Sequence, residues 1–307
     1  MMKRMSAAAA GLTVLALSAC GGGDPLETDD DGAEDTAAEN GGALTVGSQQ
    51  YYSNTVLAEI YAQVLEQEGY EIQREYEIGQ REVYIPELES GAIDVFPEYT
   101  GNLLDYFDPE NEPGDAEEVH AALGEALPEG LEALDYAEAT DQDSYVVTEE
   151  FAQEHDLQTV GDLAEVEQDL RIAANSEFET RPYGIEGLAE TYGVELELVP
   201  VEDSGGPLTL GALLDGEVEV ANIYSADPAI EDNDLVILED TESLVLPQNV
   251  VPIVSDNVDE AAREALLQVQ AVLDQQQLLD INSHSQTTQD SPGDVAQWWL
   301  EEQGMLD

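Results

Sequence analysis

The chemistry open to this chain lies in its tyrosines. It carries 13, against Phe 4 and Trp 2, and Tyr51, Tyr52, Tyr99, Tyr145, Tyr183 and Tyr224 all fall in or beside turns at strand ends. Two of them stand in a repeated setting. Gly91-Ala-Ile-Asp-Val-Phe-Pro-Glu-Tyr-Thr-Gly101 reads as a helix stop, a short buried strand and a turn presenting Tyr99. Gly216-Glu-Val-Glu-Val-Ala-Asn-Ile-Tyr224-Ser225 keeps the same glycine-to-tyrosine spacing in the other half. A tyrosine offers an electron-rich face together with a hydroxyl. Several rings converging on a dry pocket attract a quaternary ammonium by about 0.5–2 kcal/mol each. Such a cation has no N–H to donate, so a cage of π faces is one of few ways to select it. Taken singly, each ring is equally at home as a packing residue.

Arginine is the second informative type. Beyond the N-terminal segment only Arg74, Arg81, Arg171, Arg181 and Arg263 remain. Arg181 follows the turn Asn175-Ser-Glu-Phe178, where a guanidinium can grip a ligand carboxylate through two parallel bonds; a structural ion pair with one of the abundant acids is the alternative. Arg81 is assigned to such a structural pair. Other chemistries fare worse. Asp203-Ser204-Gly205-Gly206-Pro207 looks like the nucleophile segment of trypsin-like proteases, but alternating helices and strands contradict a double β-barrel. His120, His155 and His284 sit in no histidine motif. The segment is therefore expected to be a turn leading into a helix. One cysteine and three scattered histidines exclude a transition-metal site, and no cofactor is implied.

The totals narrow the partners. At 307 residues the chain has room for two domains. Its formal charge of -63, from Asp+Glu 70 against Lys+Arg 7, excludes nucleic acid, whose phosphates need a basic face. The same acidity suits a salt-exposed surface. Lys3 and Arg4 precede an apolar run, Ala7 to Leu17, that ends in Leu17-Ser18-Ala19-Cys20. This has the form of an export signal over residues 1–19, too short to span a bilayer. Residues 20–42 read as an acidic tether, in which Glu27 to Ala38 superficially follows a calcium loop but ends on Ala38 where a bidentate Glu is required.

The elements that must position these residues alternate. Ala43 to Ser48 forms a strand, and a helix capped by Ser53 or Asn54 follows with Val56, Leu57, Ile60, Tyr61, Val64 and Leu65 on one face. A strand over Tyr70–Ile78 and a helix around Val83–Leu88 lead to Gly91. A strand-like run, Asp141-Gln-Asp143-Ser-Tyr145-Val-Val-Thr148, suits a crossover into a second lobe that repeats the pattern. Val250–Val254 returns to the first lobe, and a single amphipathic helix spans Val258 to about Leu279. Strand-helix alternation implies sheets clothed by helices, with ligands met beyond the strand ends.

Together, Gly47-Ser48, Leu57-Ala-Glu-Ile60, Ser90 to Gly101, Asn175-Ser-Glu-Phe178 with Arg181, Gly205-Gly-Pro-Leu-Thr209, Asp215 to Val220 and Tyr224-Ser-Ala-Asp227 resemble the substrate-binding proteins of osmoprotectant ABC importers, which take glycine betaine, carnitine or choline. The resemblance implies an α/β type II periplasmic-binding fold. Its two lobes are placed at 43–145 with 250–307 and at 146–249, joined by two hinge strands. It also implies a lipobox around Cys20, whose lipid holds the protein on the outer face of the cell membrane, and a monomer that delivers its ligand to an ABC permease and ATPase. It places cage roles on Tyr99, Tyr145 and Tyr224, a ligand contact on Asp143 and the carboxylate contact on Arg181. This chain departs from the family pattern at Gln49, where Lys is common, at Asn102 in place of Thr, and at Gln248 in place of Tyr. Tyr51 or Tyr52 is then expected to supply the missing ring. Glycine betaine is the first expectation and choline the second; an amino acid or polyamine receptor, an exported hydrolase dependent on Ser204, and an acidic lipoprotein without a ligand are the further alternatives.

Overall fold

The computed structural model describes residues 42–111 and 114–306. The export signal, Cys20 and nearly all of the acidic tether lie outside the described residues. The strands are β1 (Ala43–Gly47), β2 (Glu71–Glu75), β3 (Val95–Tyr99), β4 (Leu131–Ala133), β5 (Asp143–Thr148), β6 (Leu170–Ala174), β7 (Leu196–Pro200), β8 (Val220–Tyr224), β9 (Leu235–Ile237) and β10 (Val250–Ser255). They form two five-stranded mixed sheets, in the orders β2-β1-β3-β10-β4 and β7-β6-β8-β5-β9. In each, three neighbouring strands run parallel, β2-β1-β3 and β7-β6-β8, and one strand, β10 or β5, is inserted antiparallel to both of its neighbours, β3 and β4 or β8 and β9. The two lobes therefore share one plan.

Both faces of each sheet are buried, as expected when parallel strands are connected by helices. The first sheet packs on one side against helices Tyr52–Gln67, Glu260–Val272, Gln275–Thr288 and Pro292–Glu302, around Leu57, Tyr61, Leu266 and Trp299. Tyr84, Phe96, Leu103 and Leu123 fill the other side. The second sheet has its own two clusters, centred on Ile172 and Leu188 and on Ala221 and Ile223. The paired glycines behave alike: Gly91 and Gly216 follow a helix with φ of +71° and +70°, the left-handed geometry that glycine adopts without penalty. Each leads into a strand ending in the tyrosine four residues after its first residue.

Two boundaries differ from the sequence expectation. The first crossing between lobes comes before Asp143, because the whole of β5 pairs with β8 and β9; Tyr145 accordingly belongs to the second lobe. The expected helix from Val258 to Leu279 is two helices, broken at Leu273 and Asp274. Asp274 caps the second by accepting the Gln277 N–H at 2.9 Å, a local alternative that competes with continued helix. The break also makes a socket for the crossing strand. The carbonyl of Leu273 accepts from Ala139 N–H at 3.1 Å, and Gln275 Oε1 accepts from Thr140 N–H and Oγ1–H at 2.9 and 3.0 Å.

The return crossing runs through Gln248 and Asn249, where Asn249 forms an antiparallel bridge with Thr140. Gly101 lies against it. A Cβ there would stand 2.6 Å from Leu246 Cβ and 2.8 Å from the Pro247 carbonyl oxygen, so the backbone itself would have to move. Gly101→Ala is expected to lower stability by about 1–3 kcal/mol, read as a reduced midpoint with an unchanged slope in urea denaturation.

Candidate functional site

The cleft between the lobes is built from the ends of the strands. Pro97-Glu98-Tyr99-Thr100-Gly101 assembles most of the first wall. Glu98 has no exposed surface, and its carboxylate accepts from Arg81 Nε at 2.9 Å, Arg81 Nη2 at 2.7 Å, Gln49 Nε2 at 3.3 Å, its neighbour Tyr99 N–H at 2.9 Å and the Tyr84 hydroxyl. A buried charge is tolerable only when paired and hydrogen-bonded in this way. The expected structural role of Arg81 is the one observed. Pro97 contributes its carbonyl, which accepts Asn54 Nδ2 at 2.9 Å, while Asn54 Oδ1 accepts Gln49 N–H at 2.8 Å. Asn54 thus ties the loop before helix Tyr52–Gln67 to β3. Tyr51, not Ser53 or Asn54, is the N-cap residue, in extended backbone, and its ring is delivered beside Tyr99. Thr100 Oγ1 donates to the Pro247 carbonyl at 2.8 Å and accepts Asn249 N–H at 3.1 Å, which secures the wall to the hinge.

The second wall comes from β8 and the segment after β6. Tyr224 ends β8, opposite Asp143 in register. Tyr51 reaches across to it: the ring centroids of Tyr51 and Tyr224 are 5.2 Å apart, and those of Tyr51 and Tyr99 6.4 Å apart and nearly parallel. Rings from both lobes therefore form one aromatic wall, with Tyr51 at its centre. Burial holds all three hydroxyls well above the ordinary tyrosine range, reinforced at Tyr51 by Tyr99 and then Asp141, at Tyr99 by Asp141 and at Tyr224 by Asp143 and then Asp141. They stay neutral at any physiological pH. The Tyr99 hydroxyl is buried without a hydrogen-bond partner.

Arg181 also lines the cleft. Its Nη1 pairs with Glu82 Oε1 on the opposite lobe at 3.2 Å, and its Nη2 is buried without an acceptor. The floor is closed by Asn102, whose Nδ2 donates to Asp143 Oδ2 at 2.8 Å across the lobes.

Of the nine residues expected to contact the ligand, six, Tyr51, Tyr99, Asn102, Asp143, Arg181 and Tyr224, line this cleft, as do Gln49 and Tyr183. Three of the nine do not. Tyr145 is 2% exposed and packs in the core of the second lobe beside Phe178; its hydroxyl donates to the Tyr183 carbonyl at 2.6 Å. It supports the segment that carries Arg181. Tyr52 faces an outer groove, its hydroxyl donating to the Asp290 carbonyl. Gln248 is buried and exchanges two bonds with Asn102, accepting its N–H and donating to Oδ1, each at 2.9 Å. It positions Asn102 from below. Conversely, Asp141, Asn175, Glu177 and Asn222 line the cleft without having been marked as contacts. Asp141, two before Asp143 in a strand-like run, and Asn175 and Glu177, in the turn before Arg181, stood in segments the sequence already distinguishes; Asn222 carried no such signal.

The family of substrate binding domains of ABC-type glycine betaine transport systems matches residues 42–302. The chain belongs to that family. It is 26% identical over 279 residues to the glycine-betaine-binding protein of Pseudomonas aeruginosa, covering 86% of this chain and 89% of the relative. It is 27% identical to the glycine betaine-binding protein YehZ of Escherichia coli, over 68% of this chain and 71% of that one. Among solved structures it is similar to a glycine betaine/carnitine/choline ABC transporter protein, with a TM-score of 0.71 at 19% identity, covering 87% of this chain and 100% of the other. The fold is that of type II periplasmic binding proteins. Members of this glycine betaine transport family bind quaternary ammonium ligands outside the cytoplasm for ABC importers and are not enzymes. The protease-like segment is accounted for in the same terms. Asp203 accepts Leu208 N–H at 2.6 Å and the Thr209 hydroxyl at 2.6 Å, capping helix Pro207–Leu214, and Ser204 Oγ accepts Asn175 Nδ2 at 3.0 Å.

Glu98→Gln would leave the Arg81 charge buried and unmatched. It is expected to cost about 3–5 kcal/mol of stability, measurable by urea denaturation. Tyr145→Phe, which removes only one hydroxyl, should cost about 1–3 kcal/mol for the Tyr183 carbonyl left without its donor.

Proposed function

We propose that this protein is the receptor of an ABC importer for quaternary ammonium compatible solutes, with glycine betaine its first ligand, bound against the wall formed by Tyr51, Tyr99 and Tyr224. The observation that carries this reading is the meeting of rings from two lobes through Tyr51, beside two buried donors with nothing to bind, Tyr99 Oη–H and Arg181 Nη2–H. The faces of three neutral tyrosines suit the methylated cation. The free edge of Arg181 suits the carboxylate at the other end. A ligand held this way touches both lobes, which is the condition for shifting an open–closed equilibrium. The charged ends of glycine betaine match this division of the cleft; choline would use the aromatic wall and leave Arg181 Nη2 unmet.

In this reading the protein works as a monomer, held to the outer face of the cell membrane by lipid on Cys20 after removal of residues 1–19, and passes its ligand to the permease and its ATPase. Cys20→Ser is expected to release the chain from the membrane fraction into the soluble one.

The ligand assignment is tested by titration calorimetry. Tyr51→Ala, Tyr99→Ala and Tyr224→Ala should each weaken glycine betaine binding at least tenfold, which is about 1.4 kcal/mol. Arg181→Met should weaken glycine betaine and spare choline. A thermal-shift panel of glycine betaine, choline, carnitine and putrescine in low and high salt identifies the preferred class, since a ligand specific to the folded state raises the melting temperature. Unchanged titrations in all three tyrosine variants would refute the assignment.

A further inference from the structure

Among the carboxylates that line the cleft without an ion pair in the described residues, Asp141 is the one set among the three tyrosines of the aromatic wall. Asp141 lies on the crossing segment and is 6% exposed. Its backbone N–H donates to the Gln248 carbonyl at 3.2 Å and its Oδ1 accepts Ala226 N–H at 3.0 Å, so both crossings and the segment after β8 hold it in place. Oδ2 has no hydrogen-bond partner among the described residues, and no arginine or histidine there lies within ion-pairing distance. Glu98, which has no exposed surface, is matched by Arg81. Asp141 has no such match.

The ionisable groups facing Asp141 are Asp227 on the segment after β8, Asp143 on its own strand run, and Tyr51, Tyr99 and Tyr224 from three further chain segments. Burial raises its pKa to about 7, opposed by the Ala226 hydrogen bond and reinforced by Asp227 and Asp143. An asparagine would accept the same Ala226 N–H without the cost of burying a charge. A carboxylate in this place has a use once a cation arrives. The three tyrosines around it are the rings of the aromatic wall, and the unpartnered hydroxyl of Tyr99 marks the same space as one built for a guest.

Building on the quaternary ammonium reading above, we propose that Asp141 is a specificity-determining residue of the cleft, the counter-charge that pairs with the ligand's ammonium head and discriminates against uncharged isosteres. The aromatic faces already favour a cation; a full negative charge set among them widens the margin over an uncharged body of the same shape. A consequence follows for pH. The free protein holds Asp141 partly protonated near neutrality, whereas the complex holds it ionised, so capture expels a proton. Binding is then strongest above pH 7 and weakens as pH falls through that value, by about tenfold between pH 8 and pH 6. A buried pair is poorly screened, so the effect should persist in about 1 M salt, where the Debye length is about 3 Å and the field of the acidic surface is largely removed.

The test is calorimetric titration of the unaltered protein and of Asp141→Asn with glycine betaine, with choline, and with their tert-butyl isosteres in which carbon replaces the charged nitrogen, at pH 6 and pH 8 in high salt. Two buffers of different ionisation enthalpy report proton release. The expected result is proton release and about tenfold pH dependence in the unaltered protein. In Asp141→Asn both are lost, binding of the cation is at least tenfold weaker, and binding of the isosteres is unchanged. Equal affinity of Asp141→Asn for the cation, or no proton release by the unaltered protein, overturns the role of Asp141 and leaves the aromatic wall standing. Failure of the unaltered protein to bind either cation overturns the quaternary ammonium reading as well. Should the variant not fold, proton release by the unaltered protein decides the matter.

Discussion

Much of the structure depends on one carboxylate with no exposed surface. Glu98 collects the guanidinium of Arg81, the amide of Gln49, the hydroxyl of Tyr84 and the N–H of Tyr99, which binds helix Arg81–Glu89, the loop before helix Tyr52–Gln67 and the end of β3 into one unit. Its strength lies in being complete. A buried ion pair contributes little net stability when replaced by apolar groups, but removing one partner is costly, so it acts as a determinant of geometry. The residues around it divide the labour: Pro97 holds Asn54, Thr100 and Gly101 hold the returning hinge strand, and Tyr99 is left as the residue facing the cleft.

The acid-rich composition gives this unit its significance. All five arginines of the described region are paired, Arg74 with Glu59 and Glu66, Arg81 with Glu98, Arg171 with Glu219, Arg181 with Glu82 and Arg263 with Glu132. Those at the surface contribute little each. Arg81 and Arg181 differ by lying at the cleft, where one pair is internal to a lobe and the other joins the two lobes. The contact between Arg181 and Glu82 and the one between Asn102 and Asp143 each bridge the two lobes at the cleft. A ligand that occupies the free edge of Arg181 and the faces of the tyrosines adds to contacts already directed toward closure.

Much of the fold was legible in the sequence. The paired glycines, the strand patterns after them and the tyrosine at each strand end identified two lobes of the same plan, because glycine at positive φ and a run of buried residues are local requirements. The helix break at Leu273 and Asp274 was less legible, since apolar periodicity continues through it and the partner that uses the freed carbonyl, Ala139, lies far away in the chain. The same distance hid Asp141. Its neighbours Ala226, Gln248 and Tyr51 come from separate segments, and only folding shows that no positive charge accompanies it.

Composition and spacing by themselves determined the alternation of strand and helix and the shortlist of aromatic and arginine side chains, because these rest on residue type and local geometry. Tertiary structure alone decided which members of that shortlist meet. Strand register turned Tyr145 into the core and left Tyr224 at the mouth; the bonds of Asn54 swung Tyr51, rather than Tyr52, against Tyr99. Which face of a strand or loop looks into a cleft is set by pairing with residues remote in sequence, and one position of register exchanges a wall for a core.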